Sequence, residues 1–347
     1  MNQMGRAAGP LRSVSGERFS PVPILQAATG FWASQALLTA VDLKLFTILF
    51  GGPKTAAEVA QEMAADAGAV EALLDANCAL GFVHRSGDKY RNDEVANAYL
   101  IEGSPGSYVE LMRFIRTHLI GMWQSLGDVV RSGKPALTPE AMAPIEIALA
   151  RAFHTGAYAS MSRVAEILDI EFSTYSRILD IGSHTGAGAL CLARRYPQFH
   201  TTLLDRPMFK ELAEEFIRGM KLEERVRFVG GEPDEGQPGG EADLVLLSHH
   251  LSQRSREDLP KIIGAAKQSL RSKGMLIVTE FLLEDSKAEP KEAALYRLNV
   301  LASYGPGFAG ALTRSELYAL LHDAGFTGVD MVGLPMFGVT AITASKS

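Results

Sequence analysis

The sequence predicts an α/β protein: a Rossmann-like, doubly wound sheet preceded by a smaller, mostly helical domain with a winged-helix pattern. Three observations carry this. Residues 176–206, SRILDIGSHTGAGALCLARRYPQFHTTLLDR, read as an apolar strand running into Asp180, a glycine-rich turn, a helix and a second strand ending in Asp205, the order of a nucleoside-binding βαβ unit. From Tyr175 on, strand and helix patterns alternate, which predicts a parallel sheet wound on both faces. Ahead of it, residues 20–105 read as helical segments closed by a short hairpin.

Composition sets the outer bounds. A chain of 347 residues that is 47% hydrophobic, with no repeat, can bury two cores and suggests two or three domains. A net charge of −6 gives no bulk attraction to nucleic acid or to an anionic membrane. Two cysteines, Cys78 and Cys191, cannot build a disulfide framework or a cysteine metal site, so no metal is expected and the cytoplasm is the default compartment. Residues 1–19 carry Arg6, Arg12 and Arg18 without an apolar core, and read as a flexible tail and not as a targeting peptide.

Val22 to Phe50 is strongly apolar but is broken by Gln26, Gln35, Asp42 and Lys44, so it predicts buried amphipathic helix and no membrane span. Thr55 caps a helix beginning Ala-Ala-Glu-Val-Ala, and a second helix is expected over about Ala67 to Leu80. FVHRSGDKYRND then alternates around Ser86-Gly87-Asp88, giving a two-stranded wing. Winged helices often bind DNA, yet the would-be recognition helix DAGAVEALLDANCAL holds Asp66, Glu71 and Asp75 and no Lys or Arg, so a structural or dimerisation role is expected instead.

Residues 106–172 are expected to form a helical connector. Phe114, His118, Trp123, Phe153, His154 and Tyr158 stand at helical spacing, which suits either core packing or an acceptor pocket. The alternating region predicts strands at 177–181, 200–205, 226–230, 243–247 and 275–281, and helices at 187–196, 207–219 and 256–270. A helix at 313–324 and a two-stranded hairpin on the sheet edge close the chain.

The glycine turn needs a ligand to explain it. Gly182 and Gly186 can adopt positive φ and let a ligand approach the backbone, the helix from about Ala187 offers free N–H groups, and Asp205 can accept both hydroxyls of a ribose. The run Gly182-Ser183-His184-Thr185-Gly186-Ala187-Gly188 does not fit G-x-G-x-x-G, which disfavours a nicotinamide cofactor. It resembles motifs I and II of class I S-adenosylmethionine (SAM) methyltransferases, with a strand-end acid 19 residues after Gly186.

Over nearly its whole length the chain resembles the caffeic acid, acetylserotonin and bacterial polyketide O-methyltransferase family: FSPVPILQAATGFWASQALLTAVDLKLF resembles that family's opening dimerisation helices and YRNDEVANAYL its wing and the following segment. The resemblance implies a homodimer with an N-terminal winged-helix dimerisation domain over 20–105, a SAM-binding domain over 173–347 and methylation of an aromatic or polyketide-like small molecule. Gly182 and Gly186 would flank the methionine part of SAM, Asp205 would hold the ribose, and Glu232 of Gly231-Glu232-Pro233 would lie near the adenine. Asp180, Arg206 and Ser248 complete the expected cofactor set. Phe153, His154, Tyr158 and Asn299 form the expected acceptor set. His184, where the family usually has glycine, is expected to face solvent.

The catalytic segment departs from the resemblance. Aligning ADLVLL with the family's fourth strand puts Ser252 at the position of the histidine base, and a neutral serine cannot take a phenol proton. His250 and His249 lie two and three positions earlier, and His250 is the expected substitute, with Glu280 in LIVTEFLLED as its supporting carboxylate. The family's second supporting glutamate falls near Ala311 and Leu312. Two alternatives therefore stay open beside O-methylation: a C-methyltransferase that needs no phenol base, and a SAM-binding dimer without transfer activity.

Overall fold

In a computed structural model of the protein, residues 20–234 and 241–347 are described, and the chain divides into two compact units with the boundary between Asn97 and Ala98. The expected tail, residues 1–19, lies outside the described residues.

The first unit is built on helices Val22–Asp42, Leu45–Phe50, Ala56–Met63 and Ala67–Ala79, with strands β1 (Lys54–Thr55), β2 (Val83–Ser86) and β3 (Lys89–Asn92) in the order β1-β3-β2. Thr55 is the expected cap. Its hydroxyl accepts the Glu58 N–H at 3.3 Å while the Glu58 carboxylate accepts the Thr55 N–H at 2.7 Å, a reciprocal box that satisfies two otherwise orphaned donors. The hairpin turns at Gly87, with φ +63°, and forms the expected wing; β1 adds a third strand that the sequence pattern was too short to show. Phe46, Leu49, Val59, Leu74 and Tyr90 fill its core. The acidic helix is engaged within the unit: Arg85 pairs with Asp75 and Glu71, and the Tyr90 hydroxyl donates to Asp75 at 2.8 Å.

The first helix carries more apolar surface than this unit covers. The long first helix is buried only toward its end, at Leu38, Ala40 and Val41, whereas Ile24, Phe31 and Trp32 are 73%, 61% and 65% exposed in the single chain. A small domain offers too little surface to cover a 21-residue apolar helix, so the apolar face is left for a partner.

The second unit opens with helices over Glu94–Tyr99 (which crosses the boundary), Val109–Phe114, Ile120–Gln124, Leu126–Ser132 and Pro139–Ile167, with a π-helical turn at Ile115–Leu119, so the expected helical connector belongs to the same unit as the sheet. The sheet contains β4 (Arg177–Ile181), β5 (His200–Asp205), β6 (Val226–Gly230), β7 (Ala242–Ser248), β8 (Leu270–Leu283), β10 (Phe326–Gly333) and β11 (Val339–Lys346), in the order β10-β11-β8-β7-β4-β5-β6. The two-residue β9 (Leu312–Thr313) pairs alongside β8. Five strands are parallel, and β11 enters antiparallel between β8 and β10, so the closing hairpin makes the edge mixed.

Alternate residues of each strand enter different cores, as the pleat requires: Ile178, Leu203, Leu244 and Ile277 pack on one face, Leu179, Leu204, Val245 and Val278 on the other. Both faces are covered by helices. The sequence reading names no element between 281 and 313, whereas the structure has helix Lys291–Tyr304 there. Its hydrophobic residues form no clean stripe, because one face lines a cavity and not a closed core. Among the described residues no helix is long and apolar enough to cross a membrane, and no cluster of side chains could hold a metal ion.

Candidate active site

The order of the strands places the ends of β4, β5 and β7 side by side, where the chain reverses direction across the sheet. Asp180 is the next-to-last residue of β4, and Gly182 and Gly186 bracket the turn that follows, at φ +67° and +74°. These conformations are required by close packing as well: a Cβ on Gly182 would lie 1.9 Å from the His250 ring, and one on Gly186 would lie 2.4 Å from Leu203. Gly186 then caps helix Ala187–Arg195.

Beside this turn lies a mostly apolar cavity of about 260 Å³. Helix Pro139–Ile167 lends it Met142, Leu149, Phe153, His154 and Ser160; helix Lys291–Tyr304 lends Tyr296, Asn299, Val300, Ser303 and Tyr304. Both sets recur at three- and four-residue intervals, so each helix offers one face. The strand ends contribute Asp180, Ser183, Ser248 and His249. On this side Asp180 Oδ1, Ser183 Oγ and Ser248 Oγ are buried with no hydrogen-bond partner among the described residues. Orphaned polar atoms of this kind cost free energy unless a ligand satisfies them. Burial, reinforced by Asp205, pushes Asp180 up to about 8.

The expected cofactor residues fall into two groups. Asp180 and Ser248 face the cavity. Gly182, Gly186, Asp205, Arg206 and Glu232 stand outside its lining. Asp205 ends β5 as expected, buried, with one oxygen accepting the His184 N–H at 2.6 Å and the other the Arg206 N–H at 2.7 Å. Arg206 pairs with Glu146 at 2.9 Å, and Glu232 is exposed. His184 corrects the expectation of a solvent-facing side chain: held at φ +50°, it packs edge-on to Phe209 at 4.8 Å and lies 6.4 Å from His250.

The acceptor set is corrected in one place. Phe153, His154 and Asn299 line the cavity, whereas Tyr158, one turn after His154 with its ring 6.4 Å away, packs on the core beside Cys191. His154 stacks on Phe216 at 3.7 Å and bonds Thr185 Oγ1 at 2.9 Å; burial and then Arg151 push it down to about 4. Asn299 accepts the Trp123 indole N–H at 2.9 Å.

None of the three expected catalytic side chains lines the cavity. His250 is buried against Gly182 and accepts the Arg254 guanidinium at 3.1 Å; burial and that cation hold it well below its ordinary value. Ser252 and Glu280 are buried together, with the Ser252 N–H donating to Glu280 Oε1 at 3.1 Å, and burial raises Glu280 to about 7. In front of them stands Tyr296, which sequence reasoning missed. Its ring stacks on Phe281 at 4.2 Å and its hydroxyl meets Ser252 Oγ at 3.1 Å. Of the adjacent pair His249 and His250, it is His249 that reaches the cavity, 5.5 Å from Phe281, lowered by burial to about 4. The only sequence signal for Tyr296 was its spacing, three residues before Asn299 and eight before Tyr304.

A doubly wound sheet with this strand order, a glycine turn after β4 and an acid ending β5 places a nucleoside-type ligand site at the strand ends, and likeness to known proteins identifies the class as that of the SAM methyltransferases. The chain belongs to the O-methyltransferase family: the family's O-methyltransferase domain matches residues 143–327 and its O-methyltransferase dimerisation domain matches residues 25–102. It is 29% identical, over 93% of this chain and 94% of the relative, to 3-hydroxy-5-methyl-1-naphthoate 3-O-methyltransferase of Streptomyces sahachiroi. It is 30% identical, over 87% and 90%, to the N,N-dimethyltransferase OxyT of Streptomyces rimosus. The crystal structure of human N-acetylserotonin methyltransferase in complex with SAM superposes with a TM-score of 0.82 at 26% identity, covering 96% of this chain and all of that one.

The enzyme is thus a SAM-dependent methyltransferase. The residues present fit that cofactor: three orphaned oxygens on Asp180, Ser183 and Ser248 suit the charged and donor groups of a sulfonium amino acid, and Asp205 stands at the strand end beside them.

Proposed function

We propose that this enzyme methylates an oxygen of an aromatic, polyketide-like small molecule, acts as a homodimer, and works with Ser252 where its family resemblance implies a histidine base. The observation that carries the acceptor class is the cavity itself. Phe114, Phe153, Phe281, Tyr296 and several Met and Leu side chains make it a slot for a flat apolar body, and Asp180, Ser183 and Ser248 are grouped on its strand-end side. Relatives that act on a naphthoate support this reading. The exposed apolar face of helix Val22–Asp42 and the match to a dimerisation domain support the homodimer.

When bound, SAM supplies a methyl group activated by a sulfonium, so the acceptor atom needs a lone pair and a position more than it needs added driving force. The chain's own residues would hold the cofactor through Asp180, Ser183, Ser248 and Asp205. They would hold the acceptor between Phe153 and Phe281 and exclude water from the slot. The test is incubation of the purified protein with SAM and a panel of naphthols and hydroxyanthraquinones, read by mass spectrometry. A product heavier by one methylene group, with an O-methyl resonance, supports the proposal; cofactor binding with no product across the panel sinks it.

Carbon methylation is favoured by one specific observation: Ser252 replaces the base and Ala311 and Leu312 fall at the second supporting acid, so the cavity lacks the usual means of removing a phenol proton. A C-methyl resonance in the same product would decide for it.

A further inference from the structure

On the acceptor side, the ionisable side chains that reach the cavity are held neutral. His249 and His154, both near 4, are weak bases. The Tyr296 and Tyr304 phenols are pushed far up, the first by burial and then by Glu280, the second by burial and then by Glu146, so each keeps its proton. Behind Tyr296 runs a short chain of polar groups: Glu280 accepts from the Ser252 backbone at 3.1 Å, and Ser252 Oγ lies 3.1 Å from the Tyr296 oxygen. Either hydroxyl can donate across this contact; in the arrangement where the serine O–H donates to Tyr296, the phenol's own hydrogen is left for the cavity. Where the resemblance implies a group that takes a proton, this chain presents one that offers a hydrogen bond.

We propose that Tyr296 is a positioning residue: its hydroxyl, oriented by Ser252, donates a hydrogen bond to an anionic oxygen of the acceptor, so the enzyme selects acidic phenols that arrive already ionised. This rests on the aromatic-acceptor reading above. It places the chemical selectivity in the acceptor's own acidity, as in a phenol conjugated with a carbonyl or nitro group. Tyr296 stacks on Phe281, so the donor is fixed against the slot where the ring would lie.

The probe is 4-nitro-1-naphthol, whose anion absorbs in the visible, titrated into the full-length enzyme loaded with S-adenosylhomocysteine. Wild type should bind the anion and lower the probe's apparent pKa below its value in buffer. Tyr296→Phe should weaken binding of the anion by about tenfold or more, as expected for a hydrogen bond to a charged group, and raise the bound probe's apparent pKa by about one unit, with S-adenosylhomocysteine affinity by calorimetry unchanged. An unchanged affinity and apparent pKa in Tyr296→Phe overturn the inference and leave the methyltransferase reading standing. Failure of the wild type to bind the probe at all overturns the aromatic-acceptor reading, and the inference with it. If Tyr296→Phe does not fold, Ser252→Ala keeps the ring and removes its hydroxyl partner. It should weaken the anion severalfold, and an unchanged spectrum there counts against the inference equally.

Discussion

The two walls of the cavity are built by different means. The strand-end wall rests on backbone: Gly182 and Gly186, in the turn behind the lining, take conformations that other residues resist, and Asp180 and Ser248 in the lining, like Asp205 behind it, are fixed by their places on adjacent strands. The helical wall is made of side chains alone, from Pro139–Ile167 and Lys291–Tyr304, and any of them can change without disturbing a strand. Backbone geometry tolerates little variation, so substitutions on the cofactor side should be the more damaging. The acceptor side is where Tyr296 and His249 reach the cavity, with Ser252 behind Tyr296.

This contrast predicts unequal damage. Gly182→Ala should be the largest effect, because a Cβ there meets the His250 ring at 1.9 Å and the φ of +67° disfavours any side chain. We expect it to cost about 2–4 kcal/mol in stability and to abolish measurable SAM binding by calorimetry. Normal binding and unfolding would show that the turn is not the rigid element described here.

Asp205→Ala should come next. It removes an acceptor from two backbone N–H groups, those of His184 and Arg206, so it should lower stability and SAM affinity together, each by roughly 1.5–3 kcal/mol. Loss of affinity alone, with thermal unfolding unchanged, would mean that the carboxylate serves the ribose and not the loop.

The core of this enzyme was legible in the sequence wherever a repeating pattern was paired with a special residue. The capping threonine at Thr55, the wing turn at Gly87, the strand ending at Asp180 and the glycines that follow all stand where spacing put them, because each is imposed by local backbone chemistry. The active cavity was less legible. His250 and His249 are adjacent in sequence, and nothing in that adjacency says which ring meets Gly182 and which reaches the cavity; the positive φ of His249, +51°, decides it. Helix Lys291–Tyr304 was missed because a face that lines a pocket mixes Tyr, Asn and Ser with aliphatic residues and blurs the hydrophobic period. The exposure of Phe31 and Trp32 accords with the apolar surplus between Pro21 and Phe50, more than one small domain can bury, although composition alone does not say which of these side chains it leaves uncovered.

Protonation offers a gentler comparison of the walls. Glu280, raised by burial to about 7, binds a proton in the folded state that it sheds in the unfolded state between its ordinary value and 7. Its effect on stability is therefore most favourable in acid, declines as pH rises toward 7 and is level above that. Glu280→Gln, which keeps an oxygen for the Ser252 N–H, should be more stable than wild type at pH 8, by on the order of 2–3 kcal/mol, and the gap should close toward pH 5. A gap that does not change with pH would mean that Glu280 is ionised throughout.

Asp180 gives the corresponding signal on the cofactor wall. Raised to about 8, it is largely protonated at neutral pH, and a bound sulfonium cation should draw it toward its charged form. SAM binding at pH 7 should release up to one proton, seen as a heat that varies with the ionisation enthalpy of the buffer, and the uncharged thioether S-adenosylhomocysteine should release less. Equal release for both ligands would remove the sulfonium from the vicinity of Asp180.

The smallest effect belongs to His184→Gly. Relief of the positive φ should stabilise the turn by less than about 1 kcal/mol, and removal of the ring beside Phe209 and His250 should leave SAM affinity equal or slightly higher. Weaker binding would show instead that the imidazole contacts the cofactor.

The most direct test follows a labelled methyl group. Wild-type enzyme, given SAM carrying a deuterated methyl group and 4-nitro-1-naphthol, should yield an aryl ether bearing the intact label. Turnover should fall in Tyr296→Phe and vanish in Gly182→Ala. Bound SAM that never labels an acceptor across the naphthol and hydroxyanthraquinone panel, or label found on ring carbon and not on oxygen, would contradict the account of a rigid cofactor wall facing an acceptor wall suited to ionised phenols.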